Sequence, residues 1–245
     1  MHRFFINTDN IKKGGAVITG EDVSHISRVL RLKIGDKIML CDGQGIDYHV
    51  AIEDMDKYAV RTKILEKTAS LGEPDVNVVL YQGIPKGAKM DIIIQKCTEI
   101  GVRRIVPVLN VRTVVKLSDE KDERKKVDRW QRIAEEAAKQ SGRGIVPKIE
   151  MPKAFDEALA DAEKLDISLI PYELEKQNTL KGNIHKKALK NIGVFIGPEG
   201  GFEDFEIKSA LDKGVIPVTL GPRILRTETA GSTVLSCIMY EFDEI

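Results

Sequence analysis

With 245 residues, 38 basic and 38 acidic side chains and 42% hydrophobic residues, the chain has enough apolar material for one large core or two smaller ones without disulfides or metals. Its three cysteines, Cys41, Cys97 and Cys237, lie far apart within apolar stretches and its four histidines are isolated, which points to core thiols in a reducing cytoplasm and to no metal site. No apolar run approaches the roughly 18 to 20 residues that span a bilayer, and no export signal precedes the polar residues 7–10, so a membrane partner is excluded from the expectation.

Residues 1 to about 70 read as a small β-rich module. A short strand covers 3–6, a helix over 21–32 carries Val23, Ile26, Val29 and Leu30 at helical spacing, and strands follow at 37–41, 46–52 and 58–65. Asp42-Gly43-Gln44-Gly45 reads as a hairpin turn and not as a dinucleotide fingerprint, because Tyr48 stands where a third glycine would be. His25, Arg28 and Arg31 recur every three residues along the helix, with Arg3 on the opening strand as a neighbour. That face either grips phosphate and stacks on bases or is a solvated polar surface.

Leu71-Gly72-Glu73-Pro74 interrupts both periodicities and marks a boundary. Beyond it, a strand at 76–81, a helix at 91–100 stopped by Gly101 and a strand at 105–109 alternate as in a parallel sheet. Gly83 to Gly87 lacks the ending of a nucleotide-binding P-loop; Lys86 and Lys89 within this region are weak RNA candidates. Residues 86–148 hold 16 basic against 9 acidic side chains and residues 149–245 hold 11 against 17, so a neutral chain carries a basic middle suited to phosphates. The longest helix runs from Ser118, a candidate N-cap, to about Gln140, with Val127, Trp130, Ile133, Ala134 and Ala137 on one face. Gly142 and Gly144 suffice to end it, which leaves Gln140, Ser141 and Arg143 for a site role. A helix over 155–165, a strand over 167–170 ending at Pro171-Tyr172-Glu173, a polar stretch over 176–190 and a closing helix over 228–241 complete the chain.

Between them lies the most informative stretch. The buried strands 194–196 and 215–218 each run into glycine and proline, giving backbone-rich turns where α/β proteins place their ligands. Gly197-Pro198-Glu199-Gly200-Gly201-Phe202, with Leu220-Gly221-Pro222-Arg223-Ile224-Leu225-Arg226-Thr227-Glu228-Thr229-Ala230, resembles the signature of the 16S ribosomal RNA uridine N3-methyltransferases, the small-subunit methyltransferase E family of the knotted SPOUT class. The Lys-Gly stretch at 86–87 and Glu136 to Arg143 resemble further motifs of that family.

The resemblance implies an N-terminal PUA-like RNA-binding β-barrel over 1–71 and a C-terminal SPOUT α/β methyltransferase domain over 72–245, with a mostly parallel sheet and a trefoil knot. It implies S-adenosylmethionine as cofactor, held by Gly197, Glu199, Gly200, Gly201, Leu220, Gly221, Ile224 and Leu225. Arg226 and Glu228 would be catalytic, the first on RNA phosphate or a uracil carbonyl, the second as proton acceptor or as a favourable charge at a helix N-terminus. Arg3, Arg28, Arg31 and Arg143 would contact 16S rRNA, expected as part of the assembled small ribosomal subunit; for His25 neither reading prevails. A two-fold homodimer is also implied, for which the apolar positions around Val234 and Ile238 either meet a partner or cover their own sheet. A non-enzymatic RNA-binding protein and a dinucleotide enzyme are the rival classes, the second disfavoured by the missing glycine fingerprint.

Overall fold

The computed structural model describes residues 1–114, 119–185 and 188–245. It contains two compact units, Met1–Glu73 with Ala138–Val146, and Pro74–Ala137 with Pro147–Ile245.

The first unit is built on a six-stranded sheet. Strand β1 (Arg3–Phe5) pairs in parallel with β4 (Lys37–Cys41), and β5 (Ile46–Met55), β6 (Ala59–Ala69), β3 (Gly15–Thr19) and β2 (Ile11–Lys12) follow in antiparallel order. Alternation sends Ile38 and Leu40 of β4 and Val50 and Ile52 of β5 into a core shared with Phe4, Ile18 and Val60. The turn between β4 and β5 is the expected hairpin: Gly43 and Gly45 take φ of 71° and 101°, and Asp42 Oδ1 accepts the N–H groups of Gln44 at 2.8 Å and Ile46 at 3.0 Å. The hairpin β2–β3 has no counterpart in the sequence reading, because its strands are short and Gly14-Gly15 break their alternation.

The helix of this unit departs from expectation. Helix α1 (Glu21–Ser24) continues as a single π turn over His25–Val29, and the chain leaves it at Arg31, whose φ of 54° is left-handed. Leu30 N–H reaches His25 O at 2.9 Å and Leu32 N–H reaches Ile26 O at 3.0 Å, so the wide turn satisfies the terminal carbonyls that a plain helix end would strand. Arg31 is therefore not on a helical face with His25 and Arg28. A left-handed non-glycine residue is strained by about 1 kcal/mol or more and commonly marks a functional position.

Residues Ala138–Val146 belong to this unit because Glu73 grips them. Glu73 Oε1 accepts the N–H groups of Gly144 and Ile145, each at 2.8 Å, and Oε2 accepts Arg143 Nη2 at 2.8 Å. A division drawn between residues 71 and 72 leaves both Glu73 and this segment on the other side. Linear sequence carries no mark of a helix end returning to a loop residue 70 positions earlier.

The second unit is a seven-stranded sheet in which every ladder is parallel, ordered β10 (Lys153–Ala154), β8 (Arg104–Leu109), β7 (Asn77–Gly83), β12 (Asn191–Ile196), β11 (Ile167–Pro171) and β13 (Ile216–Val218), with β9 (Lys148–Ile149) also on β8. One face packs Val79, Tyr81, Val106 and Phe195 against Phe155 and Leu159 of α4 (Phe155–Ala162) and Ile207 and Ala210 of α6 (Asp204–Asp212). Tyr81 and Phe195 stack at 4.4 Å between centroids. Against the strands β7 and β12, α7 (Thr227–Glu241) also packs on α2 (Lys89–Ile100). Val234 and Ile238 are 0% exposed there, so they cover their own chain and offer nothing to a dimer partner. Helix α3 (Glu120–Ser141) buries Trp130, Ala134 and Ala137 as the period predicts; Ser118, its expected cap, lies outside the described residues. A short helix, α5 (Leu180–Ile184), interrupts the polar stretch. Cys41 and Cys97 are buried thiols, whereas Cys237 is exposed, contrary to its apolar sequence context.

Candidate active site

Strands β12, β11 and β13 are neighbours and parallel, with Leu169 paired to both Val194 and Ile216. Their C-terminal ends therefore reach one edge of the sheet together, and the loops that follow them must converge. Those loops enclose a cleft of about 710 Å³ lined by Pro171 to Leu174, by Ile196 to Phe202 and by Thr219 to Glu228, with Lys89 and Lys176 beside them. Such a volume suits a small organic ligand. Every residue assigned above to cofactor binding or catalysis lines it: Gly197, Glu199, Gly200, Gly201, Leu220, Gly221, Ile224, Leu225, Arg226 and Glu228.

The loop after β12 is folded against itself. Gly201 N–H bonds to Pro198 O at 2.9 Å with Gly201 at φ 69°, and a Cβ on Gly197 would stand 3.2 Å from Gly201 Cα. A Cβ on Gly200 would meet Arg112 Cβ at 3.0 Å and Cδ at 3.1 Å, so the demand for glycine there comes from the protein itself. Arg112 is a residue that the sequence reading missed. Its guanidinium clasps Glu203 through Nε at 2.8 Å and Nη2 at 3.0 Å and donates Nη1 to Gly200 O at 2.6 Å, clamping the loop from the end of β8. Three residues past a strand end in a parallel sheet was the only sequence signal for it.

Two buried polar chains set the loop against the helices. Gln82 Nε2 donates to Thr227 Oγ1 at 2.9 Å, and Thr227 Oγ1 donates to Gly197 O at 2.7 Å, latching the first turn of α7 to the end of β12. Glu206, 2% exposed, accepts Glu203 N–H at 2.9 Å and Asn110 Nδ2 and Val111 N–H at 3.2 Å each. A buried carboxylate is tolerable only with donors of this kind and a helix N-terminus beneath it.

The charges of the cleft are mixed. Glu199 accepts Lys89 Nζ at 2.9 Å and Lys86 N–H at 3.1 Å; burial alone would raise its carboxyl, but the ammonium and backbone donors outweigh that and hold it below the usual range. Glu228 Oε2 stands 3.6 Å from the same ammonium and, among the described residues, takes no hydrogen bond. Arg226, the N-cap of α7, is exposed and forms no ion pair with a described residue.

The four arginines assigned to RNA all lie in the first unit, and the structure separates them into two kinds. Arg28 and Arg31 are exposed. Arg3 Nη2 bonds Asp47 Oδ1 at 2.6 Å, and Arg143, 3% exposed, is spent on Glu73. His25 sits edge-on to Phe4 at 5.8 Å. In the basic middle of the chain, Lys89, Lys96, Arg104, Arg112, Arg124, Arg129 and Lys139 are likewise paired with carboxylates.

Comparison with known proteins shows the family to which the chain belongs. A family model described as an RNA methyltransferase domain matches residues 72–239, and one described as an RNA methyltransferase PUA domain matches residues 18–65. The ribosomal RNA small subunit methyltransferase E of Mesomycoplasma hyopneumoniae is 36% identical over 97% of this chain and 99% of its own. The chain belongs to the ribosomal RNA small subunit methyltransferase E family. The Bacillus subtilis member is 35% identical over 91% of this chain and 89% of its own. Among solved structures, the Neisseria gonorrhoeae member bound to S-adenosyl methionine superposes with a TM-score of 0.85, at 32% identity, over 98% of this chain and 97% of that one. The chain is thus an RNA methyltransferase whose N-terminal part is a PUA domain and whose cleft lies in the methyltransferase domain.

Proposed function

We propose that this methyltransferase transfers a methyl group from S-adenosylmethionine to N3 of a uridine in 16S rRNA, with residues 1–71 binding RNA and residues 72–245 carrying the chemistry. The observation that carries the reading is the cleft at the joined ends of β11, β12 and β13, lined by glycine backbone, by Ile196, Leu220 and Leu225, and by the carboxylates of Glu173, Glu199 and Glu228. A cofactor with a sulfonium and an ammonium fits such a lining, since the carboxylates favour its positive charges and the apolar rim its adenine. Glu199 would act chiefly through the loop it pins to Lys86 and Lys89.

The bound cofactor supplies an activated methyl group with a good leaving group. What remains for the chain is alignment and removal of one proton. The three loops would hold the cofactor, which would supply the methyl group for uracil N3, and Glu228 would take the proton that N3 gives up. Arg226, at the rim, provides positive charge for a uracil carbonyl or the adjoining phosphate. Arg28 and Arg31 are the RNA contacts we retain, with Arg3 and Arg143 as internal supports. The enzyme would work in the cytoplasm as a homodimer on the assembled small subunit, its trefoil knot keeping the loops together.

Calorimetric titration with S-adenosylhomocysteine should show one site per chain and a raised melting temperature. Small subunits lacking the modification should then gain N3-methyluridine. Absence of binding at millimolar ligand, or methylation at another atom, overturns the reading.

A further inference from the structure

Lys89 is the first residue of α2, and its place is not explained by the helix. A cation at a helix N-terminus opposes the macrodipole, and the preceding Ala88 provides no side-chain cap. Its ammonium instead reaches two carboxylates from different elements, Glu199 Oε1 at 2.9 Å on the loop after β12 and Glu228 Oε2 at 3.6 Å on the first turn of α7. All three side chains are partly shielded, at 31%, 31% and 21% exposure.

We propose that Lys89 is a positioning residue for methyl transfer: its ammonium bridges Glu199 and Glu228, balancing two like charges at the cleft and steering Glu228 toward the proton it accepts. This rests on the methyl-transfer reading above. The two contacts differ in kind. The short one to Glu199 is a hydrogen bond that anchors the ammonium; the longer one to Glu228 is a charge contact to Oε2, a buried oxygen that takes no hydrogen bond among the described residues, so the ammonium is what compensates it. Raised affinity of Lys89 for its own proton, caused first by the Glu199 hydrogen bond, keeps the bridge charged across the working range.

Few other groups compete for Glu228. Arg226 on its own helix points from the exposed N-cap, and β7 presents the neutral Gln82, already bonded to Thr227. On α2, Asp91 is paired with Arg129; on the α5 side, His185 is paired with Glu241 at the far end of α7. Without Lys89 the cleft would hold two adjacent carboxylates and repel both RNA and a uracil losing its proton.

The test compares full-length wild type, K89Q and K89R in single-turnover methyl transfer to small subunits across about pH 5 to 9, with S-adenosylhomocysteine binding measured alongside. K89Q should bind the ligand within about threefold of wild type, lose about tenfold or more in rate at neutral pH, and change the acid limb of its profile, since the charge between the two carboxylates is gone. K89R should restore most of the rate and return the acid limb. An active wild type whose K89Q profile superimposes on its own after scaling refutes the proposal alone, as does K89Q losing ligand binding in proportion to rate. A wild type that transfers no methyl group removes the underlying reading as well.

Discussion

Replacing Thr227 by valine isolates the latch between α7 and β12. The two side chains have the same shape, and Thr227 is 6% exposed, so the substitution leaves no cavity and removes only a hydroxyl. That hydroxyl donates to Gly197 O at 2.7 Å and accepts from Gln82 Nε2 at 2.9 Å. Gln82 Nε2 keeps its bond to Gly83 O at 2.9 Å, so the main casualty is the Gly197 carbonyl. Losing two bonds worth about 1 kcal/mol each and stranding one acceptor should cost about 2 to 3 kcal/mol. For a domain of this size that is a fall of about 5 to 10 °C in Tm. Because Gly197 opens a loop that lines the cleft, the proposed function predicts that affinity for S-adenosylhomocysteine falls about tenfold, and Thr227→Ser, which keeps the hydroxyl, should lose about 1 kcal/mol and bind nearly as wild type. Differential scanning calorimetry and titration read both effects. A valine variant within about 0.5 kcal/mol of wild type, with unchanged affinity, would refute the latch.

Alanine at both Arg28 and Arg31 should weaken RNA binding and lower the slope of log K against log salt by about two, one per phosphate contact, measured by titration at several ionic strengths. Arg143→Ala should act on folding instead, lowering stability by about 3 kcal/mol in urea by removing the cation from the partly buried Glu73, which keeps only its two backbone donors, while the salt slope stays unchanged. The carboxyls of Glu150 and Asp161 are pushed up by burial but pulled further down, Glu150 by Lys153 and Arg104, and Asp161 by Tyr81 and Arg104. A depressed carboxylate contributes stability above its unfolded value and loses it as pH falls through the folded one, so urea midpoints should drop below about pH 4. Asp161→Asn should make that acid arm shallower; an unaltered arm would show that the network around Arg104 contributes nothing to it.

The residues of the cleft were legible in the chain because they are local. Gly197 to Phe202 and Leu220 to Ala230 are contiguous motifs at strand ends, and apolar runs at 194–196 and 215–218 mark the strands that carry them. Period and glycine punctuation likewise placed α2, stopped by Gly101 at φ 115°, and the hairpin at Asp42 to Gly45. What pairs across distance was not legible. Strand order brings β11 between β12 and β13, and only that adjacency turns three separate loops into one cleft. The same holds for the grip of Arg112 on Gly200, of Glu73 on Arg143 and of Lys89 on Glu199. It also decided against the stripe of His25, Arg28 and Arg31, where packing of Val23 and Ile26 coincides with a π turn and a left-handed Arg31 that no 3.6-residue period describes. Periodicity and turn chemistry are properties of neighbouring residues and are written into the chain. An ion pair or a shared edge depends on which strands lie side by side, and the folded sheet alone sets that.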